Sequence, residues 1–189
     1  MTSSEFMEWY ARQPDGERYE LIDGMVVPRF SKDIPWEMQA ERVVHADLKF
    51  EIASQFRDAI RAKSLPCDAF GDGMSVEIDT DGNFEPDALV RCGDPLDPND
   101  VVIKDPMIVV EVTSPSTSSF DLSVKTRRYF NNAHLRHYLV ILANERSISW
   151  YRRDEAGTVT VTHHDSGTLT LDPPGIDVDV TTLFAKRRG

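Results

Sequence analysis

One acidic residue stands in an otherwise apolar stretch, and a second lies at the start of another predicted strand. Glu111 interrupts "MIVVEV", residues 107–112, and Asp87 follows Pro86 directly in "FEPDALVR". A carboxylate in a strand that is buried on both faces must be protonated, paired with a cation or bound to a metal, because desolvating it alone is very costly. The first question is therefore what compensates the charge of these two side chains.

The strand period predicts that the two carboxylates meet. Side chains two residues apart share one face of a strand, so Asp87 lies on the face of Leu89, and Glu111 on the face of Val109. If the two strands are neighbours, both carboxylates lie at one end of the sheet. Acidic groups that close repel each other unless they share a proton or a metal. Oxygen ligands of this kind suit Mg²⁺ or Mn²⁺.

A lysine follows these carboxylates on a predicted helix. In "SSFDLSVKTRRYF", Lys125 lies one helical turn after Asp121. One interpretation is a surface ion pair between these two residues, worth a few tenths of a kcal/mol. The other turns Lys125 toward Glu111, where an ammonium group orients water or stabilises negative charge on a phosphorus centre. The spacing leaves both interpretations open.

The elements that position these residues follow from periodicity. The capping box of Thr2 and Glu5 predicts a helix over residues 3–12, and Asp23-Gly24 predicts a hairpin turn in "ERYELIDGMVVPRF". Longer helices are predicted over 36–62 and 119–131. Strands are predicted over 67–78, 84–91, 106–112 and 137–142 in one central sheet, followed by an alternating tail over 146–184.

This order of elements predicts the fold class. Strands that alternate with helices favour a mixed α/β sheet with helices on its faces, here with β-rich additions at both ends. The chain has 189 residues, which suits one domain over 1–189.

The composition and the absence of certain motifs limit the classes of function that this protein can have. The net charge of −11 argues against broad non-specific affinity for nucleic acid, although a local basic patch is compatible with it. No apolar run approaches the roughly 20 residues that span a bilayer, and the first residues lack a secretory signal. We therefore expect a cytoplasmic protein without a membrane segment, in which Cys67 and Cys92 are reduced thiols. Walker, G-x-S-x-G and H-E-x-x-H motifs are absent from the sequence.

Four segments in this order resemble a known family. "YELIDGMVV", "EPDALV", "PMIVVEVTSPST" and "DLSVKTRRYF" are similar to the Uma-two family of the PD-(D/E)XK nuclease superfamily, in the variant whose lysine has moved from the strand to the following helix. The similarity runs from Glu5 to Phe184.

The resemblance implies a restriction-endonuclease-like core. It implies that Asp87 and Glu111 are metal ligands for Mg²⁺ or Mn²⁺, with the backbone carbonyl of Val112 as a third ligand. It assigns Lys125 as the displaced catalytic lysine, and it places His45 at the site.

Three accessory residues keep two interpretations each. Glu20 is either a further acidic ligand or a glutamate at a strand edge. Glu41 is either a similar ligand or part of a solvated helix face. His45 is either a site residue or a histidine at a packing interface.

Three functions follow from these observations. The first is a Mg²⁺-dependent endonuclease that hydrolyses phosphodiester bonds of DNA; the sequence does not separate DNA from RNA. Since cutting both strands generally needs two sites, we expect a homodimer with two-fold symmetry. The second is a catalytically idle module of the same fold that binds nucleic acid or regulates. The third is a structural protein in which Glu111 is simply paired with Lys125.

Overall fold

The computed structural model describes residues 1–30, 42–113 and 119–185 of the chain. Within these residues the helices are α1 (Ser3–Tyr10), α2 (Val43–Lys63), α3 (Ser119–Tyr129) and α4 (Val180–Leu183). The strands are β1 (Arg18–Ile22), β2 (Met25–Phe30), β3 (Cys67–Gly71), β4 (Ser75–Asp79), β5 (Gly82–Phe84), β6 (Ala88–Cys92), β7 (Val102–Ile103), β8 (Pro106–Thr113), β9 (His137–Leu142), β10 (Ser147–Arg153), β11 (Val159–His164), β12 (Thr168–Leu171) and β13 (Ile176–Asp179).

The strands form two main sheets. The larger has the order β11-β10-β9-β8-β6-β3, and the smaller has the order β2-β1-β5-β4-β7, while β12 and β13 form a separate pair. In the larger sheet β8 and β9 are parallel and the other neighbours are antiparallel. The segment between β8 and β9 includes α3, as a parallel connection requires. The predicted mixed α/β architecture is confirmed.

Two cores cover the two faces of the larger sheet. On one face the apolar stripe of α2 packs with alternate residues of β6 and β8 and with the C-terminal strands. On the other face Tyr129 of α3 packs with Phe84 and Tyr138, which links the larger sheet to the smaller one. Leu89 and Val109 lie on this second face, which is the face of the candidate site.

The local signals at the N-terminus are confirmed. The Thr2 side chain accepts a hydrogen bond from the Glu5 N–H, and the Glu5 carboxylate accepts one from the Thr2 N–H at 2.7 Å, which is a capping box. Asp23 and Gly24 form the turn between β1 and β2, with φ of 50° and 71°. Positive φ at both central residues is what a tight hairpin turn requires.

Two predicted strands are wrong as single elements. Residues 67–78 form β3 and β4, which lie in different sheets, and Gly73 with a φ of +115° lies at the break. Residues 84–91 are divided between β5 and β6, again in different sheets, with Pro86 between them. The Gly71-Asp72-Gly73 and Pro86 signals mark these breaks in the sequence, whereas the change of sheet is a tertiary feature. The segment 85–87 carries the chain from one sheet to the other.

The predicted helices differ mainly at their ends. The helix predicted over 36–62 is α2, Val43–Lys63, and residues 36–41 lie outside the described part of the chain. It ends at Ser64, whose φ of 49° is left-handed. The helix predicted over 119–131 ends two residues earlier, at Tyr129.

The prediction for the cysteines is wrong. Cys67 of β3 lies directly opposite Cys92 of β6, with 3.9 Å between the Cα atoms, and the two residues form a disulfide. The pairing of β3 with β6 is a long-range feature that the cysteine spacing did not indicate. Over the ranges that the structure describes, no helix is long and apolar enough to cross a membrane.

The packing of α2 leads to a stability prediction. We expect Ile52→Ala to lower the free energy of unfolding by about 2–5 kcal/mol, because Ile52 is fully buried between α2 and the sheet. Phe50→Ala is the matched control on the same helix. Phe50 is 68% exposed, so its truncation should change stability by at most about 0.5 kcal/mol. Urea unfolding followed by circular dichroism measures both; equal losses would contradict this packing.

Candidate active site

Asp87 and Glu111 lie at the same end of two neighbouring strands. β6 and β8 are antiparallel, with Leu89 opposite Val109 and Ala88 opposite Val110. Continuing this register by one residue places Asp87 opposite Glu111, on the face of Leu89 and Val109. Both carboxylates are buried, with residue exposures of 2% and 6%. The structure therefore brings together the two acidic residues that the sequence analysis paired.

Asp87 is held from three directions. Its Oδ2 accepts a hydrogen bond from the Val112 N–H at 2.7 Å. Its Oδ1 lies 2.9 Å from Arg29 Nη2 of β2 and 2.9 Å from Lys49 Nζ of α2. Asp87 thus has two cationic partners that the sequence analysis did not identify.

The backbone at Val112 faces the same region. The N–H and C=O of one strand residue point to the same side, so the Val112 carbonyl lies on the side of Asp87. Extending the register of β6 and β8 places Pro86 opposite Val112, and proline has no N–H to donate. The Val112 carbonyl, which the family resemblance implies as a metal ligand, therefore accepts no sheet hydrogen bond from residue 86.

Lys125 joins two carboxylates. Its Nζ donates to Glu20 Oε1 at 2.8 Å and to Glu111 Oε1 at 3.2 Å, and the residue is only 5% exposed. The sequence allowed two orientations of Lys125, and in the structure its ammonium group points toward Glu111. The side chain of Asp121 lies outside the described part of the chain.

Tyr129 is a neighbour of the site that the sequence analysis missed. Its hydroxyl donates to Glu111 Oε1 at 2.7 Å, and its ring is fully buried against Phe84. Tyr129 follows Lys125 by four residues, so both side chains leave α3 on the same face. This spacing in "VKTRRY" was the signal available in the sequence.

Glu20 lies between two cations. Its Oε1 accepts hydrogen bonds from Lys125, from Arg29 Nη1 at 3.3 Å and from the Glu85 N–H at 2.9 Å. The β1–β2 hairpin thus brings a third carboxylate to the site. In the structure this carboxylate binds the site's cations.

Burial and charge act in opposite directions on the three central ionisable groups. Burial disfavours charge on Glu20, but Lys125 and Arg29 outweigh it and lower the pKa of Glu20. Burial raises the pKa of Glu111, which Lys125 offsets only in part. Burial also disfavours charge on Lys125, yet Glu111 and Glu20 together raise its pKa above the ordinary value. Lys125 is therefore an ammonium ion at neutral pH.

The ion pairs continue from Asp87 through partly exposed side chains to the buried Glu85. Lys49 Nζ also lies 3.2 Å from Asp72 Oδ2, and Asp72 pairs with Arg18. Arg18 Nε lies 2.7 Å from Glu85 Oε2. Acidic and basic side chains alternate along this path, so each buried charge has an opposite charge as its neighbour.

The structure describes one of the two remaining accessory residues, His45, but not Glu41. His45 lies on α2, four residues before Lys49 and therefore on the same face of the helix. Its Nε2 is buried and has no hydrogen-bond partner within the described ranges. Glu41 lies outside the described residues.

Divalent cations such as Mg²⁺ need oxygen ligands, and this end of the sheet supplies them. In the parts of the chain that are described, no group of three or more His, Cys, Asp and Glu side chains could hold a metal ion. The set at the sheet end is two carboxylates, Asp87 and Glu111, with the Val112 carbonyl. Mg²⁺ is often bound by one or two carboxylates and completes its shell with water and substrate phosphate. The chemistry of this donor set fits Mg²⁺ or Mn²⁺.

The fold defines the class of protein. The mixed sheet with helices on its faces is a restriction-endonuclease-like fold. The chain belongs to the Uma2 family, described as "Putative restriction endonuclease", whose signature matches residues 3–182.

The chain is also similar to two other proteins. The chain is 25% identical over 187 residues to the uncharacterized protein slr1290 of Synechocystis sp., covering 97% of this chain and 91% of the relative. Its fold matches the crystal structure of a putative nuclease belonging to DUF820 from Anabaena variabilis, with a TM-score of 0.72, 16% identity and 97% of each chain covered. The second similarity supports the fold alone.

The position of Glu20 leads to a pH prediction. Glu20→Gln should lower the free energy of unfolding at about pH 7 by about 3–5 kcal/mol, because it leaves Lys125 and Arg29 without one anionic partner. The pKa of Glu20 is lowered by folding, so its contribution is present above the unfolded value of 4.5 and is lost as the pH falls through the folded value. The difference between the variant and the wild type should therefore shrink below pH 4.5.

Denaturant unfolding across this pH range measures the effect. Glu8→Gln is the matched control, because Glu8 is an exposed residue of α1. It should leave stability unchanged within about 0.5 kcal/mol. A Glu20→Gln deficit that stays constant as the pH is lowered would contradict the role of the ionised carboxylate.

Proposed function

We propose that the protein is a divalent-metal-dependent endonuclease that hydrolyses phosphodiester bonds of DNA. The observation that supports this most strongly is the constellation of Asp87, Glu111 and Lys125 at one end of the larger sheet. All three residues are at least 94% buried, since their exposures are 2%, 6% and 5%. Family membership supports nuclease chemistry in general, while the metal and the DNA substrate are part of the proposal.

In this proposal Asp87, Glu111 and the Val112 carbonyl hold Mg²⁺ or Mn²⁺. When bound, such a cation generates a nucleophilic water and neutralises charge on the scissile phosphate. Glu111 lies on β8, and Asp87 lies directly before β6, the neighbour of β8 in a packed sheet, which fixes the relative positions of the two carboxylates. The pKa of Glu111 is raised mainly by burial, so its proton competes with the cation more strongly than that of an exposed glutamate.

Lys125 stabilises charge in this scheme. Its pKa is raised despite burial because Glu111 and Glu20 surround it, so it is unsuited to accept a proton at neutral pH. An ammonium group beside the reacting phosphate can donate a hydrogen bond to attacking water or to the developing negative charge. Glu20 and Tyr129 act through their neighbours: Glu20 fixes Lys125, and Tyr129 fixes Glu111.

One observation favours a second candidate function. Asp87, Glu20 and Glu111 already contact protein cations in the structure, as a closed ion-pair network would. A structural protein in which Glu111 is simply paired with Lys125 would have this property permanently. Binding of Mn²⁺ that is lost in Asp87→Ala separates the two functions, because a closed ion pair would leave no cation site.

Cleavage is the direct test of the proposed activity. With Mg²⁺ or Mn²⁺ the protein should slowly nick or cut plasmid DNA. Asp87→Asn, Glu111→Gln and Lys125→Ala should each reduce the rate about 30- to 1,000-fold, corresponding to about 2–4 kcal/mol of barrier by analogy with loss of an oxyanion donor. Asp177→Asn is the control, since Asp177 forms an exposed pair with Lys63. Cleavage that survives both carboxylate changes would contradict the assignment.

We further propose that the protein acts as a two-fold homodimer. A chain with a net charge of −11 needs a feature such as a cleft between two subunits to hold DNA. Cutting both strands of DNA also generally needs two active sites, which a two-fold dimer supplies. Sedimentation equilibrium at micromolar concentration should give twice the mass of the 21.4 kDa chain. A monomeric mass under the conditions of cleavage would contradict the dimer and leave the single-site chemistry intact.

A further inference from the structure

The two cations at Asp87 lie on its solvent side. The side chains of Arg29 and Lys49 are 25% and 16% exposed, whereas those of Lys125 and Asp87 are 6% and 2% exposed. A phosphate group that approaches from solvent therefore meets Arg29 and Lys49 before it meets Lys125. Arg29 is the most exposed of these cations.

A β-bulge presents Arg29 to the site. Tyr19 pairs with Pro28 and Arg18 pairs with Phe30, so Arg29 is the extra residue of β2. Bulges of this kind redirect a side chain and are frequent beside active sites. The guanidinium makes one contact to each of two carboxylates, through Nη2 to Asp87 at 2.9 Å and through Nη1 to Glu20 at 3.3 Å. Among the residues that the structure describes, it does not form the paired contact to a single carboxylate that holds arginine most firmly.

A divalent cation at Asp87 would change this arrangement. Arg29 Nη2 and Lys49 Nζ both contact Asp87 Oδ1, so a cation bound there would lie close to two positive groups and be repelled by them. Lys49 has a second carboxylate, Asp72, at 3.2 Å. Glu20 keeps Lys125 as its partner at 2.8 Å. Arg29 can therefore leave without stranding a buried carboxylate, because the cation takes its place at Asp87.

We propose that Arg29 is a substrate-positioning residue that exchanges partners: it neutralises Asp87 and Glu20 in the metal-free protein, and it binds a backbone phosphate of the nucleic acid once a divalent cation occupies Asp87. This inference rests on the proposed function. The planar guanidinium is suited to bidentate phosphate binding, and phosphate contacts of this kind fix a nucleic acid without reading its sequence.

The exchange predicts opposite effects on two ligands. Arg29→Gln should tighten Mn²⁺ binding about five- to tenfold, because a competing positive charge is gone. The same variant, saturated with Mn²⁺, should bind a short fluorescent DNA duplex about tenfold more weakly, because a phosphate contact is lost. Arg29→Lys, which keeps the charge, should have Mn²⁺ affinity near that of the wild type and part of the duplex affinity.

The experiment uses the full chain and needs no turnover. Isothermal titration with Mn²⁺ alone gives the metal affinity, and fluorescence anisotropy gives the duplex affinity, with a gel to show that the duplex stays intact. Lys63→Gln is the control, since Lys63 forms an exposed pair with Asp177, and it should change neither affinity. Circular dichroism checks that each variant is folded.

Each outcome has one meaning. Mn²⁺ affinity that is unchanged or weaker in Arg29→Gln would overturn the exchange at Asp87, and unchanged duplex affinity would overturn the phosphate contact. If Arg29 has only a structural role, Arg29→Gln should weaken the binding of Mn²⁺ and of the duplex together, and this result would also overturn the proposal. If the wild type binds no Mn²⁺, or if its Mn²⁺ binding persists in Asp87→Asn, the proposed metal site fails and the exchange fails with it. Mn²⁺ binding that Asp87→Asn abolishes, without tightening in Arg29→Gln, overturns the exchange alone.

Discussion

Neutralisation of buried charge is the constraint on which this site depends. Moving a carboxylate out of water costs several kcal/mol unless opposite charge and hydrogen bonds replace the solvent. The structure meets this requirement with a path of alternating ion pairs that runs Glu111, Lys125, Glu20, Arg29, Asp87, Lys49, Asp72, Arg18 and Glu85. Removal of one member leaves its neighbours as buried charges with fewer partners, so the path acts as a unit.

The fold brings together groups from both sheets to build this path. The hairpin β1–β2 of the smaller sheet contributes Glu20 and Arg29, and α2 and α3 contribute one lysine each. Asp87 lies where the chain passes from β5 in one sheet to β6 in the other. That crossing explains why a single short segment can contact cations from a hairpin and from a helix on different sides of the larger sheet. The bond from Glu85 N–H to Glu20 fastens the same crossing to the hairpin.

The sequence revealed the parts of the site that have local signals. Asp87 and Glu111 stand out because acidic residues in apolar strands need an explanation, and alternation places both on one face. Arg29 and Lys49 have no such signal, because an arginine in a hairpin and a lysine on an amphipathic helix are ordinary surface residues until the tertiary contacts are known. The bulge that presents Arg29 also depends on the register between β1 and β2. The breaks at residues 72–74 and 85–87 were missed for a related reason, since alternation by itself does not show which sheet a strand joins.

The ion pair between Lys125 and Glu20 joins residues that are 105 positions apart in the chain. Closing so long a loop carries an entropic penalty before any contact compensates for it. The hairpin β1–β2 leaves the ribosome before α3, and a two-stranded hairpin alone is marginally stable in water. During synthesis the Lys125–Glu20 ion pair therefore cannot form until α3 has been made. The charged groups of the site are thus brought together by tertiary contacts and not by the hairpin alone.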